Sequence, residues 1–462
     1  MIAAAHKSSG KTVVSTGIAA ALTARGQSPA VFKKGPDYID PMWLTRAAGR
    51  PAYNLDFNTM SGDEIRALFR AKAAGAALSL IEANKGLFDG VAPDGSDSNA
   101  ALAGLLQVPV VLVVDTKGMT RGIAPLLRGY VDFDPTIRIA GVILNKTGGS
   151  RHEGKLRAAV ETYTDLPVLG AIGTAPELDL SERHLGLTVP TDTARAGEFV
   201  AGLGRRIAQT VDLDALVEVA GSAPVCPAAA APAVVPARWP GLRIGIARDA
   251  AFTFYYPDDL EAFEAAGADL VPFDTLRDTA LPEVDGLFIG GGFPEVHARA
   301  LAANAALRAD IRRALEAGLP AYAECGGLMY LCRSLGWRGE RHPMVGFFDA
   351  ETVMQARPQG RGHVRFVPER AALWPASGPT TGAEQRAHEF HYARLETLSA
   401  PTFGRRVTRG HGIDGQHDAL VRCNTQAGFI HLRHSAQSPW VTDFLEFVAA
   451  AKARRGEKRY SS

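Results

Sequence analysis

Residues 221–240 read GSAPVCPAAAAPAVVPARWP, five prolines set among alanines with almost no charge. Proline fixes φ and removes a backbone donor, so this run suits neither a helix interior nor a central strand and reads as a semi-rigid spacer. Both flanks return to regular apolar patterning. At 462 residues the chain is too long for one compact core, so two domains are the expectation. The predicted organisation is a first domain over 1–217, an Ala/Pro-rich linker over 218–241 and a second domain over 242–462.

Each half alternates short apolar runs with amphipathic stretches. Strands are predicted over 2–5, 29–32, 77–81, 108–114, 137–144 and 167–172, with helical patterns such as 12–24 and 62–73 between them. Continuous apolar strands joined by helices indicate a parallel sheet covered on both faces, so the fold class is α/β. The second half repeats the theme, with strands over 243–247, 269–273, 286–289 and 319–323 and a closing amphipathic helix over 441–451.

In the first half AAAHKSSGKTVVSTGIAAAL places Ser8, Ser9, Gly10, Lys11 and Thr12 between a strand and a helix. Small residues let backbone N–H groups close around phosphate oxygens. Lysine supplies charge, threonine a hydroxyl for Mg²⁺, and the helix N-terminus lies behind them. Oxygen ligands for a metal and a nucleotide come from neighbouring strand ends. FKKGPDYIDP exposes Asp37 and Asp40 in a turn, and IEANKGLFDG puts Glu82 at a strand end with Asp89 beyond. Asp115 closes VPVVLVVD in the same way. Asn145, ending IAGVILN, reads as a base contact or as a turn residue.

In the second half AYAECGGLMY carries Cys325 into two glycines at a strand-to-helix corner. Such an elbow exposes a thiol at the turn and places it before a helix N-terminus. A nucleophilic cysteine needs an imidazole, and GFIHLRH offers His431, favoured over His434 because it follows the apolar run directly. Gly286 to Glu295, GLFIGGGFPE, can turn backbone N–H groups inward to hold an oxyanion. The pair His388 and His391 in HEFHY lacks the i, i+4 spacing of helical zinc ligands and reads as a wall of the same site.

Together SSGKT, FKKGPDYIDP, GRPAYNLD, GLFDG, RIAGVILN, ERHLGL, GGGFPEVHARALAAN, ECGGLMYL and HEFHY resemble the cobyrinic acid a,c-diamide synthase family, glutamine-dependent amidotransferases of tetrapyrrole biosynthesis. The resemblance implies an N-terminal P-loop domain like dethiobiotin synthetase and a C-terminal class I glutaminase domain. It implies that Cys325 attacks glutamine with His431 as base and acid, while backbone at Gly291, Gly292 and Gly326 holds the oxyanion. It further implies that ATP phosphorylates a peripheral carboxylate and that ammonia, passing between the domains, displaces the phosphate. Ser8, Ser9, Gly10, Lys11, Thr12 and Asn145 would bind the nucleotide, Thr12 and Glu82 the Mg²⁺, and Tyr38, Asp40 and Asp89 the carboxylate acceptor. A homodimer is implied by analogy.

Three departures stand out: AHKSSGKT in the phosphate loop, IEANKGLFDG at the acceptor side, and Arg433 where many class I glutaminases carry the glutamate that completes a triad. The first two make a sirohaem-type acceptor the alternative to cobyrinic or hydrogenobyrinic acid. A regulatory P-loop ATPase would have no Cys325–His431 half. A net charge of +1 and no basic block beyond a short tail argue against nucleic acid or a membrane surface. No apolar run approaches the ~18 residues of a membrane span, and MIAAAHKSSGK lacks the apolar core of a signal peptide. Four cysteines without CxxC spacing fit a reduced, cytoplasmic setting.

Overall fold

A computed structural model of the chain describes residues 1–174, 182–183, 186–187, 193–227, 237–374, 382–396 and 400–460. The chain divides into two compact units, Met1–Pro232 and Ala233–Ser462. Residues 228–236 of the proline-rich stretch lie outside the described residues. Its expected leading part does not, because a helix over Leu213–Gly221 covers 218–221. Asp212 caps that helix by accepting from the N–H groups of Asp214 and Ala215, and Leu213 and Leu216 bury its apolar stripe.

The first unit is built on one parallel sheet of β1 (Ile2–Ala4), β2 (Ala30–Lys34), β3 (Ala52–Leu55), β4 (Ser79–Glu82), β5 (Val110–Asp115), β6 (Ile139–Thr147) and β7 (Val168–Gly173). The strand order is β3-β2-β4-β1-β5-β6-β7. Every residue of β1, β2 and β3 is buried, which is why these strands read as apolar runs instead of alternating ones. One apolar cluster around Phe32, Leu112 and Leu144 covers one face, and another around Ile18, Trp43 and Val113 covers the other. Edge strand β3 escapes sequence reading because it is four residues long and carries Asn54 inside it. Crossing helices include α1 (Lys11–Ala24), α2 (Ile39–Ala48) and α3 (Gly62–Ala73). The last opens on a capping box between Ser61 and Glu64.

The second unit departs from the expected repetition of the theme. Strands β8 (Arg243–Ala247), β9 (Asp269–Phe273), β10 (Gly286–Ile289) and β11 (Ala321–Glu324) are parallel, and after one more parallel strand at Thr425–Gly428 the sheet continues antiparallel. Its remaining members are β12 (Gly360–Pro368), β13 (Gln385–His391), β14 (Phe403–Arg409), β15 (His417–Arg422) and β16 (Thr425–Gly428). The order is β9-β8-β10-β11-β16-β15-β14-β12-β13. Strands β12, β14 and β15 are rich in Arg and His and half-exposed, so apolar runs do not mark them. Helix α4 (Gly326–Leu331) follows β11 directly, and α5 (Trp440–Tyr460) closes the unit. Strand β11 ends one residue later than expected, which places Glu324 in the sheet beside Cys325. Among the described residues no helix is long and apolar enough to cross a membrane.

Candidate active sites

The loop from β1 to α1 turns through left-handed backbone at Ser8 (φ 65°) and Gly10 (φ 87°). Only glycine fits the second position. A Cβ there would lie 2.3 Å from Asn145 Nδ2 as well as in strained backbone. Ser9 is buried and its hydroxyl donates to the His6 carbonyl at 2.8 Å, tightening the loop. Asn145, at the end of β6, donates Nδ2 to the Ser9 carbonyl at 2.8 Å. Lys146 donates Nζ to the Ser8 carbonyl at 3.2 Å and to Asp115 Oδ2 at 2.7 Å. The two side chains tie the loop to β5 and β6, so Asp115 is engaged by Lys146 and stands apart from the acidic centre below.

Lys11, Thr12, Lys33, Asp40 and Glu82 converge behind this loop. Thr12 donates its hydroxyl to Glu82 Oε1 at 2.7 Å. Lys33 Nζ lies 2.9 Å from the same oxygen and 2.5 Å from Asp40 Oδ2. Burial pulls the Lys33 ammonium down, but Asp40, Glu82 and Asp37 outweigh it and hold the group well above the ordinary lysine range. One buried ammonium cannot balance three carboxylates. Burial and Asp40 push both Asp37 and Glu82 up to about 7, against the attraction of Lys33. Lys11 donates Nζ to the Lys85 carbonyl at 2.5 Å, and burial and then Lys33 draw it down to about 8. Asp89 is exposed, accepts from Gly86 N–H at 3.0 Å and contributes field at Lys11. Tyr38 is half-buried directly before α2, whose first turn carries Asp40.

Glu82 Oε2 is buried and has no hydrogen-bond partner. A buried carboxylate oxygen beside the Thr12 hydroxyl is a donor set for a hard divalent cation, so the residues fit Mg²⁺.

The second unit assembles a different chemistry at the end of β11. Cys325 has φ 48° and ψ −101°, a backbone conformation costing roughly 1–3 kcal/mol for a side chain with a Cβ. It is held there by its N–H bond to the Gly428 carbonyl at 2.7 Å. Gly327 is required by close approach, since a Cβ would meet the Ile289 carbonyl oxygen at 2.2 Å. A Cβ on Gly326 would lie 3.1 Å from the Gly292 nitrogen, so those two backbone segments lie against each other beside the thiol. Gly291 abuts His431, whose Cε1 would be 2.7 Å from a Cβ there.

His431 is hydrogen-bonded to the Cys325 side chain, and its Nδ1 lies 3.3 Å from Glu324 Oε2. Burial opposes its charge, but the bonds to Cys325 and Glu324 prevail and raise the imidazole to about 10. An imidazole bonded to sulfur is the partner that a nucleophilic cysteine requires. Of the HEFHY segment, His388 lies against His431, while the His391 ring stacks on Phe429. The His388 ring stacks on His431 at 5.0 Å, and Tyr256 Oη lies 3.3 Å from His388 Nδ1. Burial keeps His388 neutral. His434 takes another part, donating its N–H to Asp259 at 2.8 Å. Arg433 is buried, reaches Asp258 Oδ2 at 2.7 Å and lies over the Tyr256 ring.

Four residues of these sites carry no role in the sequence reading. Lys33 had a signal in VFKK, because a lysine inside a buried strand must find carboxylates. Lys146 and Glu324 sit at strand ends like the acidic residues singled out, but their partners are remote in sequence. Asn54 donates Nδ2 to the carbonyls of Gly35 and Asp37 and so holds the acidic turn from an edge strand not foreseen.

Residues 1–187 match the family model of the CobQ/CobB/MinD/ParA nucleotide binding domain, and residues 243–439 match the CobB/CobQ-like glutamine amidotransferase domain. The cobyrinate a,c-diamide synthase of Magnetococcus marinus is 43% identical over 96% of this chain and 96% of its own length. That of Dehalococcoides mccartyi is 37% identical over 96% of this chain and 97% of its own. The hydrogenobyrinate a,c-diamide synthase of Streptomyces coelicolor is 38% identical, covering 96% of each.

Proposed function

Because the chain belongs to the cobyrinate a,c-diamide synthase family, we propose that it converts the a and c carboxylates of cobyrinate or hydrogenobyrinate to amides, using ATP and glutamine. The observation that carries this reading is the coexistence in one chain of a thiol–imidazolium pair and a phosphate loop backed by an acidic centre. The named relatives act, by their names, on those two acceptors, so a sirohaem-type acceptor gains no support.

In the glutaminase unit, Cys325 Sγ attacks the side-chain amide carbon. The carbonyl oxygen becomes an oxyanion against the backbone of Gly291, Gly292 and Gly326. His431 gives a proton to the departing nitrogen, releasing ammonia, and then deprotonates the water that hydrolyses the thioester to glutamate. In the synthase unit, a carboxylate oxygen of the acceptor attacks the γ-phosphorus and ADP leaves. Ammonia displaces phosphate from the resulting acyl phosphate. A carboxylate is a poor electrophile until activated in this way. Backbone N–H groups of Ser8 to Thr12 cradle the phosphates, and Lys11 and Lys33 put positive charge beside them. Mg²⁺ held by Thr12 and Glu82 would neutralise phosphate charge. Asp40, Tyr38 and Asp89 face the acceptor carboxylate. The same reading carries a homodimer and a cytoplasmic setting, which sedimentation and cell fractionation would check.

Mass spectrometry of products made with amide-¹⁵N glutamine, ATP and Mg²⁺ tests the whole. Two labelled nitrogens in cobyrinate or hydrogenobyrinate are expected; label in neither acceptor would overturn the assignment. Asn145 offers a sharper local test. If it braces the loop, Asn145→Ala frees a buried carbonyl at about 1–3 kcal/mol, weakening ATP and GTP alike by about 5- to 150-fold. A base contact would instead change the ratio of the two affinities, read by calorimetric titration.

A further inference from the structure

We propose that Glu324, the residue immediately before the nucleophile, completes the glutaminase triad as the positioning carboxylate of His431. This rests on the Cys325–His431 reading above. Where a class I triad would take its acid two residues after the histidine, Arg433 stands and is bound to Asp258. The carboxylate reaches Nδ1 instead from the preceding strand, at 3.3 Å. With Nδ1 so committed, Nε2 is the nitrogen left for sulfur.

The carboxylate is held by a buried relay. Glu324 Oε1 accepts from Tyr322 Oη at 2.7 Å and from Leu432 N–H at 2.8 Å, which leaves Oε2 for the imidazole. Leu432 follows His431 in the chain, so one carboxylate fixes both the ring and the backbone that carries it. Tyr322 in turn accepts from Arg405 Nη2 at 3.2 Å, and Arg405 Nη1 lies 3.4 Å from Asp418 Oδ2. Asp418 Oδ1 takes the N–H of Phe429 at 2.8 Å, returning to the strand end that bears His431. Glu324, Tyr322, Arg405 and Asp418 are all nearly solvent-free. In a water-poor setting such charge-assisted bonds are strong and their geometry is over-determined. Alternation places Tyr322 and Glu324 on one face of β11, the face that receives Arg405 from β14.

The titratable groups against His431 are Cys325 and Glu324 from the elbow and His388 from β13, with Arg433 next along the chain. His388 is neutral and Arg433 is paired, so among the described residues Glu324 is the acid set against the ring. Removing it lowers the His431 pKa, and the alkaline limb of the pH profile must move down.

The test is glutaminase kinetics of full-length Glu324→Gln with ATP, Mg²⁺ and cobyrinate, run beside Cys325→Ala. Glu324→Gln should lower kcat by ~10²–10⁴-fold with glutamine KM within about threefold, and shift the alkaline limb to lower pH. Ammonia-driven amidation should stay intact, and Glu324→Asp should recover part of the rate. A rate within about threefold of wild type with an unmoved limb would overturn the inference. If Glu324→Gln does not fold, Tyr322→Phe decides, because it removes only the hydroxyl from Oε1. It should cut kcat by ~3- to 30-fold with glutamine KM within about threefold, and an unchanged kcat overturns the inference. Survival of glutamine-driven activity in Cys325→Ala would sink the underlying dyad instead, whatever Glu324→Gln does.

Discussion

Cys325→Ala is expected to abolish glutamine-driven amidation, by at least ~10³-fold, while ammonium salts still support product formation at the wild-type rate. Alanine keeps the Cβ and therefore the strained backbone at φ 48°, so the elbow stays in place and only the nucleophile is lost. The acceptor chemistry uses ammonia from any source, since the acyl phosphate forms on residues of the other unit. Parallel assays with glutamine and with ammonium chloride read the result directly. Loss of both activities would mean that the thiol serves the synthase reaction too. Cys325→Gly should be equally inactive with glutamine yet about 1 kcal/mol more stable to urea, because glycine adopts positive φ without penalty.

The second large effect concerns Lys33. Lys33→Met keeps length and volume but leaves Asp40 and Glu82 facing each other in the interior. Breaking a buried ion pair from one side costs about 3–5 kcal/mol at neutral pH, and ATP-dependent amidation should fall with either nitrogen source. The sign of the pH dependence follows from Glu82, whose carboxyl burial and Asp40 raise to about 7. The folded unit therefore holds a proton that the unfolded chain releases near ~4.3, so this group favours folding as pH falls from about 7 toward that value. Without Lys33 the carboxyl rises further, and the stability deficit of the variant should shrink on acidification. Urea midpoints at pH 8 and pH 5.5 measure this. A deficit below about 1 kcal/mol, or one equal at both pH values, would show that Lys33 does not neutralise the pair.

Much of both sites was legible in the chain because their chemistry is local. Gly10-Lys11-Thr12 needs only a strand before it and a helix after it, and Cys325-Gly326-Gly327 only a sharp corner. Periodicity marked all the central strands of the first unit, since they are buried on both faces. It failed at β3, a four-residue edge strand carrying Asn54, and at the antiparallel strands β12 to β15, which carry polar and charged residues.

What the sequence by itself determined was the division into two halves, the phosphate loop, the nucleophilic elbow and the residue types each chemistry requires. What only the tertiary structure decided was which charges meet. Lys33 lies between Asp40 and Glu82, Asn145 braces Ser9, Asp115 is engaged by Lys146, and Glu324 faces His431. Backbone preferences are set by neighbours along the chain, so they show in the string. Electrostatic pairing at 3 Å depends on strand order and register, and residues such as Thr12 and Glu82, 70 positions apart, or Ser9 and Asn145, 136 apart, become partners only when the sheet is assembled.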